Sequence, residues 1–141
     1  MPRSEMAPVV LFVDDEAPNL STFVRVFRRD FRVRTAGSGE EALRALEIQP
    51  VDVVITDYTM PGISGLELLE IVARRWPHVA RVLISGHAEL DELNDEGDGL
   101  ARAVLPKPWS REMVLSTVAR VVGDTRPVED AVNRATSEPA A

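Results

Sequence analysis

Val9-Val10-Leu11-Phe12-Val13-Asp14-Asp15 is a run of five apolar residues, four of them β-branched or aromatic, stopped abruptly by two aspartates. An unbroken apolar run of strand length is the pattern of a strand buried on both faces, which needs covering layers above and below it. We therefore read it as the first and central strand of a sheet. Residues 51–55 repeat the pattern and lead into Asp57, residues 81–84 give a fourth strand, and residues 103–105 a weaker fifth. Residues 31–35 differ, because Phe31, Val33 and Thr35 alternate with two arginines, as in a strand near a sheet edge with one wetter side.

Helical spacing fills the intervals. From Asn19, read as an N-cap, Leu20, Phe23, Val24 and Phe27 recur on one face while Arg25, Arg28 and Arg29 look away. Ser38 and Glu41 have the spacing of a capping box, opening a helix through Leu43 and Leu46 that Gln49-Pro50 closes. Ser64 caps a helix with Leu68, Leu69 and Val72 inward, and Ser110 starts a last one backed by Val114, Val118, Val121 and Val122. Strand and helix alternate, which implies a parallel sheet covered on both faces by right-handed crossovers, with ligands at the carboxyl ends of the strands. One interval is poorly signed: residues 89–99 hold six acids, two glycines and two leucines, so any helix there is short and marginal. We expect a compact domain over residues 6–123 and a C-terminal tail over 124–141, where Ala, Pro, Ser and charge replace apolar periodicity.

Composition narrows the function. A chain of 141 residues that is 45% hydrophobic suits one domain with a real core. Without cysteine there is no disulfide framework, thiolate metal site or Cys nucleophile, which suits a reducing cytoplasm. A net charge of -7 argues against a nucleic-acid surface, and no apolar run approaches a bilayer span, so neither direct nucleic-acid binding nor membrane insertion is expected.

The chemistry lies in the polar residues placed directly after strands: Asp14 and Asp15, Asp57, Ser85 and Lys107. They should converge on one rim. Carboxylates gathered there repel each other, and a hard divalent cation or an adjacent ammonium holds them together at least cost. Mg²⁺ and Lys107 supply both. A carboxylate oxygen left free of the metal is a nucleophile, and an aspartyl phosphate is one outcome of such chemistry. Metal, Lys107 and the Ser85 hydroxyl would then stabilise charge spread over phosphoryl oxygens.

Four segments, Val13-Asp14-Asp15-Glu16, Thr56-Asp57-Tyr58-Thr59-Met60-Pro61-Gly62, Leu83-Ile84-Ser85-Gly86 and Leu105-Pro106-Lys107-Pro108-Trp109, stand in that order at strand ends. Together they resemble the receiver domains of two-component response regulators, over residues 9–122. The resemblance implies a flavodoxin-like (βα)5 fold, with five strands in the order 2-1-3-4-5 and five flanking helices. It implies Asp57 as phosphoacceptor, and Mg²⁺ bound directly by Asp15, largely through water by Asp14, and by Asp57 and the Thr59 carbonyl. Ser85 and Lys107 would hold the phosphoryl oxygens, and the Lys107-Pro108 peptide would be cis. The implied donor is a phosphohistidine on a sensor histidine kinase or histidine phosphotransfer domain, and the implied reader is a downstream protein effector. The chain would be a signalling domain promoting its own phosphorylation and dephosphorylation rather than an enzyme. A homodimer is compatible with the sequence.

Taken singly, Asp14-Asp15 is an ordinary acidic helix cap, Asp57 a turn aspartate, Ser85 a loop serine and Lys107 a surface lysine. Their order is what sets them apart. His78 reads as a solvated loop residue, Trp76 and Trp109 as packing residues, and His87 as a neighbour of the site. Other readings are a receiver-like interaction module independent of phosphorylation, a flavodoxin-like cofactor binder and an acid-nucleophile phosphatase. The second lacks a phosphate loop after the first strand, and the third lacks a general acid, because Thr59 stands where one would be needed. Three features depart from the family pattern: Val104 where an aromatic ring is common, the acidic and Gly-interrupted stretch after Ser85, and Pro106 before Lys107. The first two direct conformational coupling toward residues 86–98 rather than Val104.

Overall fold

The computed structural model describes residues 6–86 and 100–124. The elements run β1 (Val9–Val13), α1 (Ala17–Phe27), β2 (Arg32–Ala36), α2 (Gly39–Ile48), β3 (Val53–Asp57), α3 (Gly65–Arg75), β4 (Ala80–Ser85), β5 (Ala103–Pro106) and α4 (Arg111–Asp124). All pairings are parallel, and the sheet order is β2-β1-β3-β4-β5, as the family resemblance implied. Four helices fall among the described residues, and the fifth, expected between β4 and β5, falls on residues outside them. None of the four is long and apolar enough to cross a membrane.

Neighbouring residues of one strand serve opposite cores, which is why β1 and most of β3 and β4 are apolar. Leu11, Val13, Val54 and Leu83 pack with Leu46, Leu68, Leu69 and Val72 under α2 and α3. Val10, Phe12, Ile55 and Ile84 pack with Phe23, Phe27, Val114, Val118 and Val121 under α1 and α4. The second core is built on rings: Phe12 stacks on Phe23 at 4.1 Å between centroids, and Phe27 stacks on Phe31 at 5.3 Å. Such pairs add about 1 kcal/mol each beyond the area they bury. Arg111 pairs with Asp30 at 3.0 Å across the same face.

Several local expectations are corrected. Asn19 is not the N-cap of α1, which begins at Ala17 after Glu16 with Pro18 in its first turn. Val24 is 37% exposed rather than packed inward. Ser38 Oγ accepts from the Glu41 N–H, but the Glu41 carboxylate accepts from Gly37, so the box at α2 is only half formed. The full capping box is at α3, between Ser64 and Glu67. The third strand runs over Val53–Asp57, starting two residues later than expected. Asp52 just before it is tied to both neighbours, its N–H donating to the Val9 carbonyl and its carbonyl accepting from the Ala80 N–H at 2.9 Å each, while its side chain accepts from the Val9 N–H at 2.8 Å. At the far edge, buried Arg81 donates to the carbonyls of Leu100 (2.6 Å) and Val79 (3.2 Å), and the Arg102 N–H reaches the Arg81 carbonyl at 2.7 Å. The start of β4 and the chain entering β5 are thus fastened together.

Gly65 lets α3 begin against the end of β3. A Cβ there would lie 2.1 Å from the Asp57 carbonyl oxygen, where no atom fits. Gly65→Ala should therefore cost about 3 kcal/mol through backbone displacement. Gly123→Ala, with nothing within 4 Å of its Cβ, should be neutral or stabilising, since Ala is the better helix former. Thermal and urea unfolding of the two variants side by side checks the contrast.

Candidate functional site

The register decides which side chains meet. Val13 of β1 lies opposite Thr56 of β3, so Asp14, one residue beyond β1, comes beside Asp57, the last residue of β3. Asp14, Asp15 and Asp57 each offer a carboxylate oxygen, and these oxygens all lie within 4.8 Å of one another. Asp14 and Asp57 are buried while Asp15 is exposed. From the turn after β5, Lys107 brings Nζ to 2.9 Å from Asp57 Oδ1. The Lys107-Pro108 peptide is cis, as expected. Trp109 then packs its ring against Phe23 and Phe27 at 5.8 and 5.6 Å, tying the turn to the aromatic core.

Ser85 ends β4, is fully buried, and its hydroxyl donates to the Gly86 carbonyl at 3.2 Å. The backbone stitches this rim: the Tyr58 N–H donates to the Ile84 carbonyl at 3.0 Å and the Lys107 N–H to the Ser85 carbonyl at 3.1 Å. Thr59 sits in the exposed turn two residues past Asp57, before Gly62, whose φ of 76° suits a residue without Cβ. The three aspartates and Lys107 are thus brought together, Ser85 lies on the adjacent strand end, and Thr59 lies on the neighbouring turn. His87 falls outside the described residues, and His78 is exposed in the loop before β4, as read from the sequence.

Two contributors escape a reading of the sequence. Asn19 donates from Nδ2 to Asp14 Oδ2 at 3.1 Å and to Glu16 Oε2 at 3.2 Å. Glu16 in turn donates its backbone N–H to Asp14 Oδ1 at 2.9 Å. Its place as the first apparent cap before an apolar period hides Asn19; the signal that finds it is a lone amide within reach of consecutive acids.

The Asp57 carboxyl is pushed above the ordinary aspartate range, first by burial and then by the nearby Asp14 charge, against the pull of the Lys107 hydrogen bond and charge and the Tyr58 N–H. A clustered set of hard oxygen donors, one of them held above its usual pKa by desolvation, is what a divalent cation relieves. The residues therefore fit a hard cation such as Mg²⁺. Beside them a cavity of about 620 Å³ opens between α1 and the Lys107 turn, lined by Phe12, Asp14, Asn19, Thr22, Lys107 and Trp109, among others.

A doubly wound α/β domain with an acidic pocket at its strand ends, one of whose carboxylates is paired to a lysine, defines the class. The model of the response regulator receiver domain matches residues 10–119, and the chain belongs to that family. It is a receiver module of two-component signalling, a signalling domain rather than an enzyme in the usual sense. Over 121 residues it is 36% identical to the hydrogenase transcriptional regulatory protein HoxA of Cupriavidus necator, covering 84% of this chain and 25% of that protein. It is 35% identical over 116 residues to the transcriptional activator protein ExaE of Pseudomonas putida, covering 80% of this chain and 54% of that one. The chain thus spans between a quarter and about half the length of these relatives. A response regulator receiver domain protein from Clostridium thermocellum superposes with a TM-score of 0.77 at 29% identity, over 83% of this chain and 95% of that one.

The raised Asp57 pKa sets a pH dependence. Because the folded state disfavours the charged form relative to the unfolded chain, this group costs stability once pH rises through the ordinary aspartate value of 3.8 and beyond the raised folded value. Without metal, Asp57→Asn should therefore be more stable than the wild type at neutral pH, and the difference should shrink toward zero as pH falls below 3.8. Denaturant titrations in chelator across that range test the sign.

Proposed function

We propose that Asp57 is the phosphoacceptor of this receiver, drawing a phosphoryl group from a phosphohistidine. The observation that carries the reading is the set of three carboxylates within 4.8 Å of one another together with Lys107 Nζ at 2.9 Å from Asp57 Oδ1. One Asp57 carboxylate oxygen forms the new bond to phosphorus as the phosphorus–nitrogen bond of the donor breaks and the imidazole departs. Asp15, Asp57 and the Thr59 carbonyl would hold Mg²⁺, with Asp14 acting largely through water. When bound, the cation neutralises charge on the phosphoryl oxygens. Lys107 leaves its ion pair with Asp57 to take a phosphoryl oxygen, and the Ser85 hydroxyl turns from the Gly86 carbonyl to take another. The same groups hold the phosphoryl for attack by water, so the domain promotes its own dephosphorylation.

The donor is a sensor histidine kinase or a histidine phosphotransfer domain, and the cavity beside Asp14 and Lys107 supports an approach for its imidazole. The output goes to a protein effector, without direct contact to nucleic acid or membrane, in the cytoplasm. Residues 6–123 form the receiver unit and 124–141 a tail, and association of two copies is compatible with this reading.

Incubation with acetyl phosphate and Mg²⁺ should add one phosphoryl group by intact mass, and Asp57→Asn should abolish the adduct. Lys107→Ala should slow its formation about 100-fold, the usual loss when one donor to a developing oxyanion is removed. An adduct that survives in Asp57→Asn would reject the assignment.

Coupling from the site is proposed to run along the chain after Ser85. Val104, 38% exposed and without a ring to relocate, offers little alternative. Hydrogen exchange with and without a beryllofluoride mimic should change most over residues 86–100 and little at Val104. A response confined to α4 would contradict this route.

A further inference from the structure

Asp14 has both carboxylate oxygens occupied from the α1 side, Oδ1 by the Glu16 N–H at 2.9 Å and Oδ2 by Asn19 Nδ2 at 3.1 Å. The second acceptor of Asn19 is also a carboxylate, Glu16 Oε2 at 3.2 Å. Carboxylates at neutral pH only accept, so the amide must present its NH2 group to both, and each of its two hydrogens has an acid to meet. A structural role for Asn19 as a helix cap is excluded by the same geometry. The cap position belongs to Glu16, which makes no side-chain cap, and the Asn19 amide is spent on acids rather than on backbone N–H groups. Asn19 is half-buried and lines the cavity that also holds Asp14 and Lys107.

Three acids follow one another here, Asp14, Asp15 and Glu16, and only the first two join Asp57 in the cluster. The terminal torsion of an aspartate is broad, so nothing intrinsic to Asp14 fixes the plane of its carboxylate. A neutral amide clasped between Asp14 and Glu16 fixes that plane without adding charge. It also holds the Glu16 carboxylate on the helix. We propose that Asn19 is a positioning residue for the divalent cation, setting the Asp14 carboxylate toward the metal and keeping Glu16 out of the metal's coordination. The proposal rests on the reading of Asp14, Asp15 and Asp57 as the Mg²⁺ site.

Hydrogen bonds to ligating carboxylates are worth about 10- to 100-fold in metal affinity. Asn19→Leu has nearly the same shape and charge but no donor, and Asn19→Gln keeps both donors on a longer arm. Metal binding is followed by the loss of the free Mn²⁺ electron paramagnetic resonance signal and by Mg²⁺ competition, and metal-free unfolding is measured on the same samples. The expected result is about tenfold weaker binding of both ions by Asn19→Leu and recovery to within about threefold of the wild type in Asn19→Gln, with the metal-free unfolding of each variant separating lost affinity from lost stability. With acetyl phosphate, the Mg²⁺ concentration at half-maximal rate should rise about tenfold in Asn19→Leu while the rate at saturating Mg²⁺ stays within about twofold. Wild-type affinity in Asn19→Leu, or equal losses in Asn19→Leu and Asn19→Gln, would overturn the role of Asn19 while leaving the metal site standing. Absence of metal binding by the wild type would overturn the site itself, and the proposal with it.

Discussion

Like charges crowded at the rim of the sheet are the condition to which the rest of the molecule answers. Asp14 and Asp57 are both buried with carboxylate oxygens no more than 4.8 Å apart, a repulsion on the order of 3 kcal/mol at an effective dielectric of about 20. Side chains on loose loops would splay apart. These stand at the ends of adjacent strands of a sheet covered on both faces, so the pairing of β1 and β3 keeps their backbones side by side. The Lys107 ammonium offsets part of the repulsion, and its reach depends on the turn that Trp109 anchors to Phe23 and Phe27. The rigid aromatic core and the reactive rim are therefore two ends of one device.

Much of this was legible in the amino-acid order because topology does the placing. Once β1, β3, β4 and β5 are recognised as buried parallel strands, the polar residue after each must lie on one edge, and Asp14, Asp57, Ser85 and Lys107 follow without knowledge of distances. What failed was local and had competing partners. Glu41 has the spacing for a reciprocal box with Ser38 but finds the Gly37 N–H instead. Asn19 looks like a cap because it precedes an apolar period, yet an acid five residues earlier claims its amide. The apolar run before Asp57 begins at Val51, yet the strand is Val53–Asp57 and takes in Thr56 and Asp57, which an apolar run does not mark. Gly65 carries no local sign at all: its need arises from the approach of α3 to Asp57, which only the tertiary structure creates.

The interplay of α1 with the site follows from the same economy. The helix begins directly after the acids, so the residues that shape its first turn also surround Asp14. Pro18 lacks an N–H that the first turn would in any case leave unbonded, which suits a helix without a side-chain cap. Asn19 is thereby released from service to the backbone.

The fastening of Arg81 to Leu100, with the Arg102 N–H on the Arg81 carbonyl, has a consequence for how the sequence can vary. It closes the chain between β4 and β5 at its base, independently of what lies between. For a chain closed at fixed ends, doubling the number of residues costs only about 0.6 kcal/mol of closure entropy. The entropy of closing the chain at these ends therefore changes little with the number of residues between them. Chains of this design can differ in length between β4 and β5 while the reactive rim, whose spacing is set by the register of β1 and β3, stays as it is.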